Sequence, residues 1–232
     1  MANYVIEPKS GCLHAYLSTP HKDDRMIHHT LRLAAILTLL SAASAMASTL
    51  PEGIPQLDRN REITMALSAA PPELRVDAGV YVLEPSGFVL VRASRNGFNC
   101  LVERDIHVTA PVCYDAEGSR TTLQASLERA RIMVSGVDGP SVDRMIDAEY
   151  SAGRLRPPAK PGIAYMLSHD FVQLDPKTGE AKTLYPPHVM VYAPYLRNED
   201  IGVSKQFVRS TTHVWVEAAG KPDACLVFAS AH

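Results

Sequence analysis

The chain lacks the short signatures that tie a sequence to a reaction. It has no G-x-S-x-G, so an α/β-hydrolase nucleophile has no support. It has neither a P-loop nor a G-x-G-x-x-G stretch, which excludes the common phosphate cradles. C-x-x-C, zinc-ribbon spacing and H-E-x-x-H are absent as well. Charge of one sign is missing: 23 Lys and Arg stand against 25 Asp and Glu, giving −2 overall. A dedicated nucleic-acid binder would carry a basic patch, so no nucleic-acid partner is expected. Aromatic residues make up only 6% and do not cluster with basic ones. Internal repeats and low-complexity tracts are absent. What remains, 46% hydrophobic and 21% charged residues, is the composition of an ordinary globular protein.

The most conspicuous feature present is an apolar run that begins well inside the chain. Met26 to Arg32 is short and basic, Leu33 to Leu40 is apolar, and Ser41 to Ala47 is small. Ala45-Met46-Ala47 fits an A-x-A cleavage site, with Ala43-Ser44-Ala45 as a second candidate. This is the layout of a secretory signal peptide over 26–47, and it predicts export to the periplasm or medium. The alternative is a membrane anchor, but small and hydroxylated residues fill its second half, so no stable membrane insertion is expected after cleavage. Residues 1–25 precede the signal without periodicity; the simplest account is that translation starts at Met26, and the alternative is a genuine long n-region. Residues 48–232 then form a single exported domain, large enough to bury a stable core.

Three cysteines follow the signal: Cys100, Cys113 and Cys225. Export permits disulfides. Cys100 and Cys113 are close in sequence and are expected to bridge, contributing about 3 kcal/mol in the chain-entropy account. Cys225 lies in an apolar run and reads as a buried small hydrophobe.

The pattern predicts a helix over 61–69, capped by Asp58 or Asn60 and stopped by Pro71-Pro72. Three β-branched or aromatic runs follow at 80–83, 88–91 and 98–102. Asn96-Gly97 between the last two is a strong hairpin signal, so the three read as an antiparallel meander. Residues 105–120, with Pro111, read as a loop. Thr121 and Gln124 suggest a capping box for a helix ending at Gly136, and Ser141 a cap for a second helix through 152. Residues 163–168, 171–175, 189–193, 213–217 and 224–229 are strand-like, the last two as a hairpin. The expected fold is α+β: a mostly antiparallel sheet with two or three helices in one domain.

Four motifs recur in order: Asn96-Gly97-Phe98-Asn99-Cys100-Leu101, Pro111-Val112-Cys113-Tyr114-Asp115, Gly162-Ile163-Ala164-Tyr165-Met166-Leu167 and Pro187-His188-Val189-Met190. Together they resemble a group of uncharacterised secreted bacterial proteins, which tends to have Thr where this chain has Asn99. The resemblance spans roughly Val80 to Pro194. It implies one exported domain and no particular reaction.

Candidate chemistry rests on few residues. His188 opens a predicted strand and Asp115 sits beside Cys113, so the two would make a general base and its orienting carboxylate. With His213 or Glu117 the same group would hold a metal. The plainer account is a strand-end histidine and a turn or cap aspartate, and it is preferred. No cofactor and no metal are assigned. A binding site would be lined by Tyr165, Met190 and Tyr192, with His213 nearby. The leading expectation is a non-catalytic small-ligand-binding or protective module. The alternatives are a His/Asp-based or metal-assisted enzyme and an envelope protein-interaction domain.

Overall fold

The most buried strands, over 79–84, 99–104 and 108–114, are neighbours in one sheet. The computed structural model describes residues 49–175, 177–178 and 180–229. The proposed extension over 1–25 and the signal segment over 26–47 lie outside the described residues. The described chain forms an α+β fold: five helices and one ten-stranded, mostly antiparallel sheet. None of the described helices is long and apolar enough to cross a membrane.

Helix α1 (Arg59–Ser68) starts where Asp58 Oδ1 accepts the backbone N–H groups of Asn60 and Arg61 at 3.0 and 3.1 Å. One further turn, α2 (Pro72–Arg75), leads into the sheet. Strands β1 (Gly79–Glu84) and β2 (Gly87–Arg92) form a hairpin through Pro85-Ser86.

The expected meander is corrected at the next strand. β3 (Asn99–Arg104) does not continue from β2 but lies on the other side of β1 and parallel to it, with Gly79 opposite Asn99 and Val80 opposite Cys100. Burial decides the placement. Cys100, Leu101 and Val102 are fully buried, whereas β2 is half-exposed, so β3 belongs inside the sheet and β2 at its edge. The connecting chain crosses the start of β1 at Gly79. A Cβ there would lie 2.1 Å from Asn99 Oδ1 and 3.0 Å from the backbone N of Ser94.

The expected loop over 105–120 is also corrected. It contains β4 (Val108–Tyr114) and the short α3 (Ala116–Arg120). β4 pairs with β3 along its length, and Cys100 faces Cys113. On its other side it pairs with β6 (Val172–Leu174) only at Val108 and Thr109, and with β5 (Ile163–Met166) only at Cys113 and Tyr114. Pro111 falls in the gap between those two partners, where a missing N–H costs no ladder bond.

Helix α4 (Thr122–Val134) spans the expected segment, but without the expected box. The Thr121 hydroxyl donates to the Glu117 carbonyl, and Gln124 Nε2 donates to the Ser119 carbonyl. α5 (Gly139–Ser151) is capped by Asp138 rather than Ser141. β5, β8 (His188–Tyr192), β10 (Cys225–Ala229) and β9 (Trp215–Glu217) complete the sheet. β6 also pairs with β7 (Ala181–Thr183) as a side hairpin.

Alternation along β3 and β4 divides the core. Cys100, Val102 and Cys113 pack with Met65, Ala66, Ala69 and Ala70 at the α1 end of the chain. Leu101, Ala110, Val112 and Tyr114 face Leu123 of α4. Cys100 and Cys113 form a disulfide with a Cα–Cα distance of 4.0 Å, fully buried.

Candidate functional site

Alternation also places a charged residue on an apolar face. Glu103 is two residues beyond Leu101 and therefore shares its side of the sheet, toward α4. There, one of its carboxylate oxygens, Oε1, accepts from Tyr114 Oη at 2.8 Å and from Ser126 Oγ of α4 at 2.5 Å. Its Oε2 has no hydrogen-bond donor among the described residues. Burial, with the neighbouring Glu103 charge, pushes the Tyr114 hydroxyl far above its usual range, so it stays protonated and donates.

Glu103 and Ser126 line a cleft of about 710 Å³. The cleft lies between the β3–β4 turn, the lead-in at Pro51 to Ile54, the second half of α4 and the first turn of α5. Its walls are apolar: Phe88, Val108, Ala110, Ala130, Met133 and Val142 contribute to them. The acidic side chains of Glu52, Asp105, Asp138 and Asp143 stand around it. Asp105 Oδ1 takes the N–H groups of His107 and Val108, which shapes the β3–β4 turn. The Ser141 hydroxyl and N–H hold the Asp138 carboxyl below its usual range. Asp143 pairs with Arg129, tying α5 to α4.

The second guanidinium at the cleft, Arg104, is already committed. It makes two bonds to Glu62, at 2.6 and 2.9 Å, and Nε donates to the Pro55 carbonyl at 3.0 Å. Glu62 also accepts the Leu83 N–H at 2.8 Å. Both side chains are at most 2% exposed. The pair joins the lead-in, α1, β1 and β3, and its positive charge is cancelled internally.

The residues singled out from sequence lie elsewhere. Asp115 caps α3 through the Gly118 N–H at 2.8 Å and holds the start of β5 through the Ile163 N–H at 2.9 Å. Tyr192 lies beside it, donating to the Ile163 carbonyl at 2.8 Å. Its side chain passes so close to Gly118 and Gly162 that a Cβ on them would meet the hydroxyl at 1.8 Å and the ring at 2.9 Å. His188 is at the opposite end of β8, four residues from Tyr192 and so about 13 Å away along the strand. The ring of His188 is buried between Phe171 and Tyr185, and Nδ1 donates to the Pro186 carbonyl at 2.8 Å. Burial lowers its proton affinity. His188 and Asp115 therefore do not form a catalytic pair.

Glu117 is occupied by the Ala159 N–H and the Arg120 guanidinium, each at 2.8 Å, and both hold its carboxyl below the usual range. His213 is exposed, stacked on Phe207 at 4.2 Å and bonded to Thr212. Among the described residues no group of three or more His, Cys, Asp and Glu side chains is placed to hold a metal. Tyr165 stacks on Phe98 at 6.0 Å, and Met190 packs against the core. Tyr165 and Met190 are half-buried against the core, Tyr192 is buried in it, and none of the three lines the cleft. Cys225 is a buried free thiol whose pKa burial pushes up to about 12.

Sequence reasoning passed over Glu103, Ser126, Glu62 and Arg104. One signal was present: Glu103 continues the period-two face of Leu101 beyond an apolar run. The motifs that carry the resemblance meet on β3, β4, β5 and β8, where their polar residues make structural bonds. Comparison of the chain with protein-family models, curated proteins and solved structures finds no match.

Proposed function

We propose that the protein is an exported, non-catalytic module that takes a small ligand into the cleft between the β3–β4 turn and α4–α5. The observation that carries this reading is the cleft itself. Its volume is that of a small-molecule site, its walls are apolar, and a few polar groups converge at one place. Export rests on the segment over 26–47 and accords with the buried Cys100–Cys113 disulfide. The resemblance to secreted bacterial proteins belongs to the same proposal.

The test is a native mass spectrum of the processed protein beside its denatured mass. A retained small molecule is expected in the native spectrum, and Ala130→Leu, which fills the wall, should abolish its retention. A bare native mass, together with no uptake of a neutral apolar probe, would overturn the reading.

A further inference from the structure

Acidic groups predominate on the floor and rim of the cleft. Five carboxylates line it, from Glu52, Glu103, Asp105, Asp138 and Asp143, against two guanidiniums. Arg104 is neutralised by the buried Glu62 behind it, and Arg129 pairs at the surface with Asp143, one of the five, so four carboxylates remain beyond that pair. Carboxylates therefore outnumber guanidiniums around the cleft, which disfavours an anionic ligand. Glu103 differs from the rim acids in how it is held. Ser126 and Tyr114 come from two different elements, and both donate to the same oxygen, Oε1. That arrangement restrains the carboxylate and leaves Oε2 without a donor, beside apolar walls. A donor arriving there would complete the carboxylate's hydrogen bonding with a charge-assisted bond.

The geometry points to a small organic cation as the ligand: an apolar body against Phe88, Ala110 and Met133, and an ammonium group on Glu103 Oε2. Glu103 is then the residue that decides specificity, and Ser126 and Tyr114 are positioning residues that act through it. This rests on the cleft being a ligand site and adds the ligand's chemical class. Anionic amphiphiles of the same shape are disfavoured, because their carboxylate would face Glu103 in a cleft where carboxylates outnumber guanidiniums. Neutral ones bind by the apolar walls alone.

Three probes of one shape test this on the purified protein by calorimetry: 4-phenylbutylammonium, 4-phenylbutanol and 4-phenylbutyrate. The ammonium is expected to bind at least tenfold tighter than the alcohol, and the carboxylate weaker than both. Glu103→Gln keeps the acceptor for Ser126 and Tyr114 but removes the charge. It should erase the preference for ammonium and leave affinity for the alcohol within twofold. Ser126→Ala should reduce the preference without erasing it.

The outcomes separate the two readings. If none of the probes binds and the native mass is bare, the cleft is not a ligand site and both readings fall; if a molecule is retained but none of the probes binds, the cation assignment alone falls. If ammonium and alcohol bind equally, the site stands and the cation assignment falls. If the preference survives in Glu103→Gln, Glu103 is not its source. The comparison of probes on the unmodified protein needs no variant, so a folding defect in Glu103→Gln leaves the cation assignment testable. In that case the amide resonances of Glu103 and Ser126 must shift with the ammonium and not with the alcohol, or the assignment to Glu103 falls.

Discussion

The two faces of strand β3 are built differently. Cys100 and Val102 look toward α1, where Ala66, Ala69 and Ala70 are completely buried. Side chains this small let a helix sit close on a sheet and leave no room between. Leu101 and Glu103 look toward α4. Leu123 closes the first part of that face, but Ser126, Ala130 and Met133 further along α4 border an open cleft. Both faces carry a buried or half-buried glutamate. Glu62 on the closed side is fully paired with Arg104, whereas Glu103 on the open side keeps one oxygen without a donor. The difference is one of saturation: the Glu62–Arg104 ion pair is complete and joins elements, whereas the Glu103 carboxylate is held by two hydroxyls on one oxygen.

The largest expected effect comes from breaking the closed side. Arg104→Ala strands the Glu62 carboxylate in a site that excludes water. It should cost about 3–5 kcal/mol in urea unfolding. A loss below about 1 kcal/mol would mean that the pair does not join the lead-in, α1 and β3 as described.

Replacing both Cys100 and Cys113 by Ala should cost about 3 kcal/mol, and reductant should lower the midpoint of the parent but not of the variant. An intact parent should also be two daltons lighter than its reduced form.

A matched pair of substitutions sharpens the comparison directly. Ala66→Leu forces extra volume between α1 and the sheet and should cost about 1–3 kcal/mol. Ala130 is also nearly buried but borders the cleft, so Ala130→Leu should cost less than Ala66→Leu while weakening ligand uptake. Equal costs would mean that the two faces are packed alike.

The smallest effect concerns His188. Burial lowers its folded pKa below the ordinary histidine value of about 6.5. The folded state therefore binds fewer protons than the unfolded one. The contribution of His188 is fully present above about pH 6.5 and is lost as pH falls from there toward the folded pKa. Melting temperature should drop across that window in the parent, and His188→Gln should flatten the drop.

Much of the fold was legible because it depends on local pattern. Asp58 before an amphipathic run gives α1, and Pro85-Ser86-Gly87 between β-branched runs gives the β1–β2 hairpin. Asn96-Gly97 misled because a turn signal states that the chain bends and not which strand it then joins. Pro111 misled because its tolerance depends on a gap left by β5 and β6, more than fifty residues away in sequence. The candidate site was hardly legible. His188 and Asp115 attract attention by residue type, yet Pro186, Gly118 and Ile163 already satisfy them. Glu103 becomes informative only once Tyr114 and Ser126 are seen to hold the same oxygen.

Composition and periodicity by themselves determined a globular α+β chain, the positions of most helices and strands, and a local pairing of Cys100 with Cys113. These follow from interactions between near neighbours along the chain. The tertiary structure decided that β3 lies parallel beside β1, that β4 exists at all, and that Arg104 is spent on Glu62. It also decided that α4 and α5 leave a cleft over Glu103. Each of these depends on which surfaces can be buried together, and burial is settled between segments distant in sequence.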